Sequence, residues 1–384
     1  MQETLKIDSK LPDVGTSIFA VMSKMANDYN SINLSQGFPD FNCSDQLVEL
    51  VHHFMKHGFN QYAPMPGTIE LRKQIAIKVE RDYGRKYDFE KEINVTAGAT
   101  QALYTAFSAI ISNGDEVIIF EPAYDSYIPA VLANGGIPIT IKLNKNDFGI
   151  PWNEVEKSIS KKTRCIVINS PHNPTGAILK EEDIFQLEKL VKDTNIFLIS
   201  DEVYEHIIFD NQKHFSFAGY DELAKRSFII SSFGKTFHTT GWKMGYCCAP
   251  EILTSEFRKH HQFIVFAVNT PIQLAVAEFL KDENNIYSLP KFYQAKRDLF
   301  LSLIKGSKFI QQKCNGTYFQ LLDYSNISTN NDLKFSEFLT KEIGVAVIPL
   351  SPFYKNGSND KLIRVCFAKK DEVLKQAAEK LLRI

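Results

Sequence analysis

Four short segments of this 384-residue sequence carry residue types that can do chemistry, and each follows a run of apolar residues. They are residues 96–100 (TAGAT), 169–176 (NSPHNPTG), 200–204 (SDEVY) and 231–245 (SSFGKTFHTTGWKMG). Apolar runs that alternate with helical stretches predict parallel strands. We therefore expect all four segments at the carboxyl edge of one sheet, which is where open α/β folds bind their ligands.

The first two segments suit an anion and a ligand that needs hydrogen bonds. Small residues at Gly98 and Ala99 let the backbone approach a ligand, and a helix that begins near Thr100 offers free N–H groups to an anion. In the second segment the two asparagines, Asn169 and Asn173, stand among two prolines, which would hold an amide rigidly against a ligand. Each segment alone is also typical of an ordinary turn.

The other two segments carry charge. Asp201 follows the apolar run 196–199, so it should be buried, and a buried carboxylate needs a cation or several donors. Lys235 should lie at the crowded mouth of the sheet. Desolvation and a nearby cation such as Lys243 would lower the pKa of its amine and make it nucleophilic, although a single lysine is more often a solvated surface residue.

Together the four segments offer an anion cradle, a buried carboxylate, an amide and a nucleophilic lysine. That set suits pyridoxal phosphate. Its phosphate needs N–H donors and a cation, its ring nitrogen needs a carboxylate, and its aldehyde needs an amine. The combination therefore predicts a cofactor site of this kind more strongly than any one segment does.

The elements that must position these residues follow a β-α-β rhythm from about residue 91, which predicts an α/β fold with a mainly parallel sheet between helices. The predicted strands are 92–96, 116–120, 137–143, 164–169, 196–200 and 227–231, and the predicted helices are 100–111, 124–134 and 181–194. Residues 250–303 read as one long helical region. The strands 318–323, 345–349 and 362–367 and the helices from 333 and 371 form an α+β pattern.

These patterns predict three parts. Residues 1–40 form an N-terminal arm and part of the small domain, 41–285 form the large cofactor domain, and 286–384 form the small C-terminal domain. Apolar residues make up 44% of the chain, which suits a globular enzyme with a large core.

Charge and composition exclude several other classes of protein. The net charge of −1, from 44 basic and 45 acidic residues, argues against a polybasic nucleic-acid binder and an acidic disordered chain. The longest strictly apolar run, 263–268, is far below the about 20 residues of a membrane span, and the charged N-terminus predicts a cytoplasmic location. The six cysteines show no CxxC pair and are expected to be reduced, and the doublets His52-His53 and His260-His261 are not expected to bind metal.

The segment SSFGKTFHTTGWKMGY resembles the lysine signature of the class I aminotransferases of fold type I, which depend on pyridoxal phosphate. The resemblance covers nearly the whole chain. The other matching segments, in family order, are NLSQGFPDF, QYAPMPG, VTAGATQAL, NGDEVIIFEPAYDSY, NSPHNPTG, SDEVYEH, HQFIVFAVNTPIQLA, GTYF and LIRVCFAKK. Within the family the chain is similar to the kynurenine and glutamine aminotransferase branch, and there it resembles bacterial methionine aminotransferase.

The resemblance implies a role for each cofactor residue. Lys235 would form the Schiff base with pyridoxal phosphate and then move the proton, and Asp201 would pair with the protonated pyridine nitrogen. Tyr204 and Asn173 would hydrogen-bond the ring O3′ atom, and Tyr124 would stack on the ring. The implied phosphate contacts are the Gly98 turn with the backbone of Ala99 and Thr100, Ser232, Lys243, and Tyr62 of the partner subunit.

The resemblance also implies a substrate site shared between two subunits. Arg364 would hold the substrate α-carboxylate as a planar fork, assisted by Asn173 and the backbone of Gly37. The side-chain pocket would consist of Phe19 together with Tyr62 and Phe266 of the partner subunit, so a symmetric homodimer is expected. Because this pocket is aromatic and has no obvious second arginine, it should accept methionine, aromatic residues, kynurenine or glutamine rather than aspartate.

One position departs from many class I aminotransferases, which carry arginine eight residues after the Schiff-base lysine. Here that residue is Lys243, which the kynurenine and glutamine branch also tolerates. Lysine binds phosphate as a point charge, so the affinity for the cofactor should differ from that of the arginine enzymes.

Three alternatives to a methionine-type aminotransferase stay open at this point. A kynurenine or glutamine aminotransferase would add C–S β-lyase activity on cysteine conjugates, because the same chemistry expels a leaving group from Cβ. Regulators that use the fold without catalysis usually carry a DNA-binding segment, and no basic helix-turn-helix stretch is present. A nicotinamide dehydrogenase is disfavoured because no GxGxxG follows a strand.

Overall fold

The computed structural model of the protein describes residues 7–358 and 360–384. Within these ranges the strands are β1 Ile32–Asn33, β2 Ile93–Thr96, β3 Glu116–Glu121, β4 Ile137–Lys142, β5 Thr163–Asn169, β6 Phe197–Asp201, β7 Ser227–Ser232, β8 Gly245–Cys248, β9 Ile310–Gln311, β10 Phe319–Asp323, β11 Val345–Ala346, β12 Ile348–Pro349 and β13 Leu362–Cys366. The α-helices are α1 Ile18–Asp28, α2 Asp45–Lys56, α3 Ile69–Tyr83, α4 Ala99–Ile110, α5 Tyr127–Ala133, α6 Trp152–Ser158, α7 Glu181–Val191, α8 Asp221–Ala224, α9 Phe233–Thr236, α10 Glu251–Ile264, α11 Thr270–Phe279, α12 Asn284–Tyr287, α13 Leu289–Leu303, α14 Asp332–Phe338 and α15 Asp371–Leu381.

A seven-stranded sheet in the order β2-β8-β7-β6-β5-β3-β4 forms the centre of the fold. The pairs β3–β4, β3–β5, β5–β6 and β6–β7 are parallel, and β8 runs antiparallel to both of its neighbours. The carboxyl ends of β2, β3, β5, β6 and β7 therefore meet at one edge, as the sequence predicts. Loops at such an edge carry the ligand-binding residues of open α/β sheets.

Both faces of this sheet are buried, and successive side chains of a strand divide between them. In β3, Val117 and Ile119 belong to an apolar cluster that includes Phe107 of α4. Their neighbours Ile118 and Phe120 belong to a second cluster on the opposite face. The continuous apolar character of the predicted strands is the direct result of burial on two sides.

A second, antiparallel sheet in the order β12-β13-β10-β9 places Arg364 at its centre, where it pairs with Leu321 on one side and Ile348 on the other. Strand β1 pairs in parallel with β11, and the Cys366 backbone N–H donates to the Leu34 carbonyl over 2.8 Å. These contacts bring the segment that follows β1 next to the second sheet. The domain limits given above stay a prediction.

Some predicted elements differ from the structure. The helix predicted over 124–134 begins at Tyr127, because the preceding chain is held elsewhere: the Ala123 backbone N–H donates to the Phe353 carbonyl over 2.7 Å. The region 250–303 is divided into four helices, α10 to α13, and the Asn269 side chain caps α11 by accepting from the Ile272 N–H. Strand β8 was not predicted, and the strand predicted over 345–349 is split between two sheets.

In the ranges that the structure describes, no helix is long and apolar enough to cross a membrane. The same ranges contain no cluster of three or more histidine, cysteine or acidic side chains that could hold a metal ion. His261 is instead tied into the fold, with Nδ1 3.1 Å from Gln101 Nε2 and Nε2 3.2 Å from the Met65 carbonyl.

Candidate active site

The four segments meet around a cavity of about 220 Å³ at the carboxyl edge of the large sheet. Thirteen of the predicted site residues line it: Phe19, Gly37, Gly98, Ala99, Thr100, Tyr124, Asn173, Asp201, Tyr204, Ser232, Lys235, Lys243 and Arg364. Gly37 and Phe19 come from the N-terminal segment, and Arg364 comes from the second sheet. The cavity therefore lies between the two sheets.

Lys235 lies on the single turn of α9, directly after β7, and reaches into the cavity. Its Nζ donates to the Tyr318 hydroxyl over 2.9 Å and to the Gly37 carbonyl over 3.2 Å. Burial lowers the pKa of Lys235 to about 8, and the positive charges of Arg364 and Lys243 act in the same direction. A larger share of the amine is therefore neutral at physiological pH than in an exposed lysine, as nucleophilic attack requires.

Asp201 ends β6 and is buried, with 3% of its surface exposed. Tyr127 donates its hydroxyl to Asp201 Oδ2 over 2.5 Å, and the Val203 N–H donates to Oδ1 over 3.3 Å. Burial raises the pKa of Asp201 to about 6, although both hydrogen bonds favour the charged form. The carboxylate thus has donors but no cation within bonding distance among the described residues, and a cationic ligand would relieve its desolvation.

Arg364 is 1% exposed, and its guanidinium carbon lies 3.8 Å from the centre of the Phe319 ring. One terminal nitrogen donates to Asn173 Oδ1 over 2.6 Å and the other to the Ser35 carbonyl over 3.3 Å, while Nε has no partner among the described residues. Burial lowers the pKa of Arg364 to about 10, so it stays charged at physiological pH. A buried cation that lacks a carboxylate partner is a site for an anionic group of a ligand.

Gly98 caps the twelve-residue helix α4 with a positive φ of 79°, which favours glycine. A Cβ atom there would lie 3.3 Å from Lys243 Nζ, so the lysine amine lies directly against the backbone at the start of α4. Ala99, Thr100 and Ser232 line the same end of the cavity. A helix N-terminus and an ammonium group together favour a phosphate at this position.

Two tyrosines from the predicted set shape the walls of the cavity. Tyr204 is 2% exposed, and its ring meets that of Tyr318 edge to face at 5.1 Å. Tyr124 packs edge to face on Tyr127 at 5.7 Å. The residue that supports Asp201 therefore also supports the aromatic wall.

Tyr62 and Phe266 do not line this cavity. They pack against each other edge to face, with ring centres 5.2 Å apart, and their exposed fractions are 83% and 49%. That both act in a partner subunit stays a prediction.

Sequence reasoning missed Tyr318, Phe319 and Tyr127 as functional residues. Tyr318 and Phe319 belong to the segment GTYF, and Tyr127 lies three residues after Tyr124 in EPAYDSY, so the family resemblance covers these positions without indicating a role for them. Tyr127 and Tyr318 hydrogen-bond another site residue without lining the cavity, whereas Phe319 lines the cavity and packs against Arg364. No pattern in one sequence reveals such a supporting contact.

Comparisons with known proteins agree with this geometry. The family model of aminotransferase class I and II matches residues 29–381. The methionine aminotransferase of Escherichia coli strain K12 is 48% identical over 97% of this chain and 97% of its own length. A crystal structure from Escherichia coli, described as identifying a methionine aminotransferase function, superposes with a TM-score of 0.97 at 48% identity and covers 99% of this chain and 100% of that one.

More distant relatives carry other names. The probable N-succinyldiaminopimelate aminotransferase of Mycobacterium tuberculosis is 34% identical over 97% of both chains. The kynurenine–oxoglutarate transaminase of Dictyostelium discoideum is 33% identical over 100% of this chain and 98% of its own length.

The predicted fold class, an α/β transferase of fold type I, and the predicted resemblance are confirmed by these matches. The chain is an aminotransferase. The sequence and the structure both match aminotransferases over nearly the whole length of the chain. This chain therefore belongs to the class I and II aminotransferase family.

Proposed function

We propose that this enzyme is a pyridoxal-phosphate aminotransferase that moves the amino group of a neutral, apolar L-amino acid, methionine before others, to a 2-oxo acid. The observation that carries the proposal is the convergence of Lys235, Asp201 and Arg364 on one cavity. The 48% identity with methionine aminotransferase of Escherichia coli supports methionine as the donor. A cytoplasmic location stays a prediction.

The residues present fit the cofactor. Lys243 and the N-terminal end of α4 at Gly98 would hold its phosphate, Asp201 would hold its ring nitrogen, and Lys235 would bind its aldehyde. When bound, the cofactor supplies an aldehyde and a ring that accepts electrons from the substrate. Lys243 in place of arginine would hold the phosphate by charge without a bidentate fork.

The protein side chains divide the remaining work. Lys235 Nζ would take the proton from the substrate α-carbon, which its lowered pKa permits near neutral pH. Asp201 would keep the ring nitrogen protonated, while Tyr204 and Asn173 would hydrogen-bond the ring hydroxyl and Tyr124 would lie against the ring face.

Arg364 and Gly37 would hold the substrate. The guanidinium, fixed over Phe319 and bonded to Asn173, would bind the α-carboxylate, and its Nε is the donor still without a partner among the described residues. Phe19, whose ring centre lies 5.2 Å from the guanidinium carbon, would line the side-chain pocket. In the described chain Arg364 is the only arginine that lines the cavity, which supports a neutral side chain.

The donor preference is tested by measuring kcat/KM for L-methionine, L-kynurenine, L-glutamine and L-aspartate with one common 2-oxo acid. We expect methionine to be the best donor and aspartate to be at least about 100-fold poorer, because its second carboxylate would be buried without a cation. Equal rates for aspartate would contradict the proposal.

The alternative is a kynurenine or glutamine aminotransferase with β-lyase activity, and the 33% identity with the kynurenine–oxoglutarate transaminase supports it less strongly. Incubation with a cysteine S-conjugate separates the two. Pyruvate and a free thiol, formed faster than the methionine half-reaction, would favour the alternative.

We infer a symmetric homodimer whose sites are shared. The exposed pair Tyr62 and Phe266 supports this, since a tyrosine with 83% of its surface exposed is poised for an intermolecular contact. Dimers formed from one Lys235→Ala chain and one Tyr62→Ala chain would contain one intact site. We expect such mixtures to recover activity that neither parent shows, whereas a Tyr62→Ala homodimer with full activity would exclude Tyr62 from the site.

A further inference from the structure

The free amine of Lys235 is hydrogen-bonded to Tyr318, a residue that takes no part in the proposed function. Its Nζ lies between two aromatic rings, 5.6 Å from the centre of the Tyr204 ring and 5.5 Å from that of Tyr318. It donates to the Tyr318 hydroxyl over 2.9 Å, and that hydroxyl in turn donates to the Gly37 carbonyl over 2.6 Å. The Gly37 carbonyl also accepts from Nζ directly, so the three groups form a closed triangle.

The position of Tyr318 does not depend on the lysine. Its side chain is fully buried, and its ring contacts those of Tyr204, Phe319 and Tyr293, with centres 5.1, 4.9 and 5.7 Å away. Its backbone carbonyl accepts from the Phe367 N–H over 3.0 Å, which joins it to the second sheet. The hydroxyl is therefore a fixed acceptor, to which the flexible lysine side chain moves.

We propose that Tyr318 is a positioning residue that receives the Lys235 amine whenever that amine is not bonded to the cofactor. The inference rests on the proposed function, because only then does Lys235 alternate between a bonded and a free state. A free lysine side chain has many rotamers, and an acceptor that selects one of them keeps Nζ beside the reacting carbons. The tyrosine acts through the lysine and is not itself placed against the substrate.

The hydrogen bond has a consequence that can be measured without catalysis. A hydroxyl that accepts from an ammonium group favours the charged form, so its loss should lower the pKa of the Lys235 amine further. The other charged or titratable groups that face this amine are Arg364, Lys243, Asp201, Cys366 and Tyr204, and a substitution at Tyr318 replaces none of them.

The test follows the rate at which the cofactor-free protein takes up pyridoxal phosphate, recorded by absorbance across a range of pH. Because only the neutral amine attacks the aldehyde, we expect the profile of Tyr318→Phe to lie at lower pH than wild type by about one unit. Tyr293→Phe is the matched control: its hydroxyl is buried beside Tyr318 and has no partner in the described structure. It should leave the profile unchanged.

A second readout separates positioning from folding. With α-deuterated L-methionine, Tyr318→Phe should show a larger isotope effect on the half-reaction and about a 10-fold lower rate, because proton transfer becomes slower relative to other steps. Replacement of Tyr318 by 3-fluorotyrosine keeps the ring and the hydroxyl but makes the oxygen a weaker acceptor, so it should shift the profile in the same direction by less. This second variant serves if the phenylalanine variant does not fold.

The outcomes are distinct. If the wild-type protein takes up no pyridoxal phosphate, the proposed function fails. If wild type takes it up but both Tyr318 variants reproduce its pH profile and isotope effect, the proposed function stands and the role of Tyr318 is overturned.

Discussion

Replacing Lys235 with alanine should reduce transamination of L-methionine by about 10⁴-fold or more, since one side chain provides both the covalent attachment and the proton transfer. The fold should survive, because the Lys235 amine reaches into the cavity and its two hydrogen-bond partners, Tyr318 and Gly37, remain bonded to each other. The measurement is the rate of 2-oxo acid formation with saturating pyridoxal phosphate, together with borohydride reduction and peptide mapping of wild type. Mapping should find the cofactor on Lys235.

A suitable control is Lys225→Ala, which removes an exposed lysine paired with Glu222 on the surface. Its activity should equal that of wild type. If Lys235→Ala instead kept more than about a hundredth of the activity, or if borohydride fixed the cofactor to another lysine, the assignment of the nucleophile would be wrong.

Replacing Asp201 with asparagine should slow the enzyme by about 10²- to 10³-fold while stabilising the cofactor-free protein at neutral pH. The loss of rate follows from removing the charge that keeps the ring nitrogen of the cofactor protonated. The gain in stability follows from removing a buried carboxylate that, without the cofactor, has the donors Tyr127 and Val203 but no cation at bonding distance in the described structure. Function and stability therefore oppose each other at this residue.

The sign of the pH dependence follows from the pKa of Asp201. Folding raises it from 3.8 to about 6, so the folded cofactor-free protein binds the proton more tightly than the unfolded chain does. Asp201 therefore contributes about 3 kcal/mol to the free energy of unfolding below about pH 4. This contribution is lost as the pH rises through about 6. Urea unfolding of both proteins across this range should show the decline in wild type and its absence in Asp201→Asn. Parallel pH dependences would contradict this explanation.

The central sheet was predictable because its strands are buried on both faces. Strand β5 is apolar along most of its length and ends at Asn169, so its type and end are both visible in the sequence. Strand β8 was not visible, because its four residues, GYCC, begin inside the lysine segment and lack β-branched side chains. Its existence depends on pairing with β7 and with β2, and β2 is distant in sequence.

The site residues that stand at strand ends or in the lysine segment could be predicted from the sequence. Asp201, Lys235 and Lys243 stand at strand ends or in a recognisable segment, whereas Arg364 was assigned only through family resemblance, since it lies inside the short strand β13. The supporting residues Tyr127 and Tyr318 depend on contacts across the fold, at sequence separations of 74 and 83 from the side chains they bind. Such contacts leave no local pattern.

The most direct test of the account is the absorption spectrum of the purified, cofactor-loaded protein before and after L-methionine is added without any 2-oxo acid. We predict that the absorption band of the lysine-linked aldehyde cofactor disappears and that the band of the amine form replaces it. About one equivalent of the methionine-derived 2-oxo acid should be released per active site. Later addition of another 2-oxo acid should restore the first spectrum. A loaded protein whose spectrum does not respond to L-methionine would contradict the claim that it transfers the amino group of this donor.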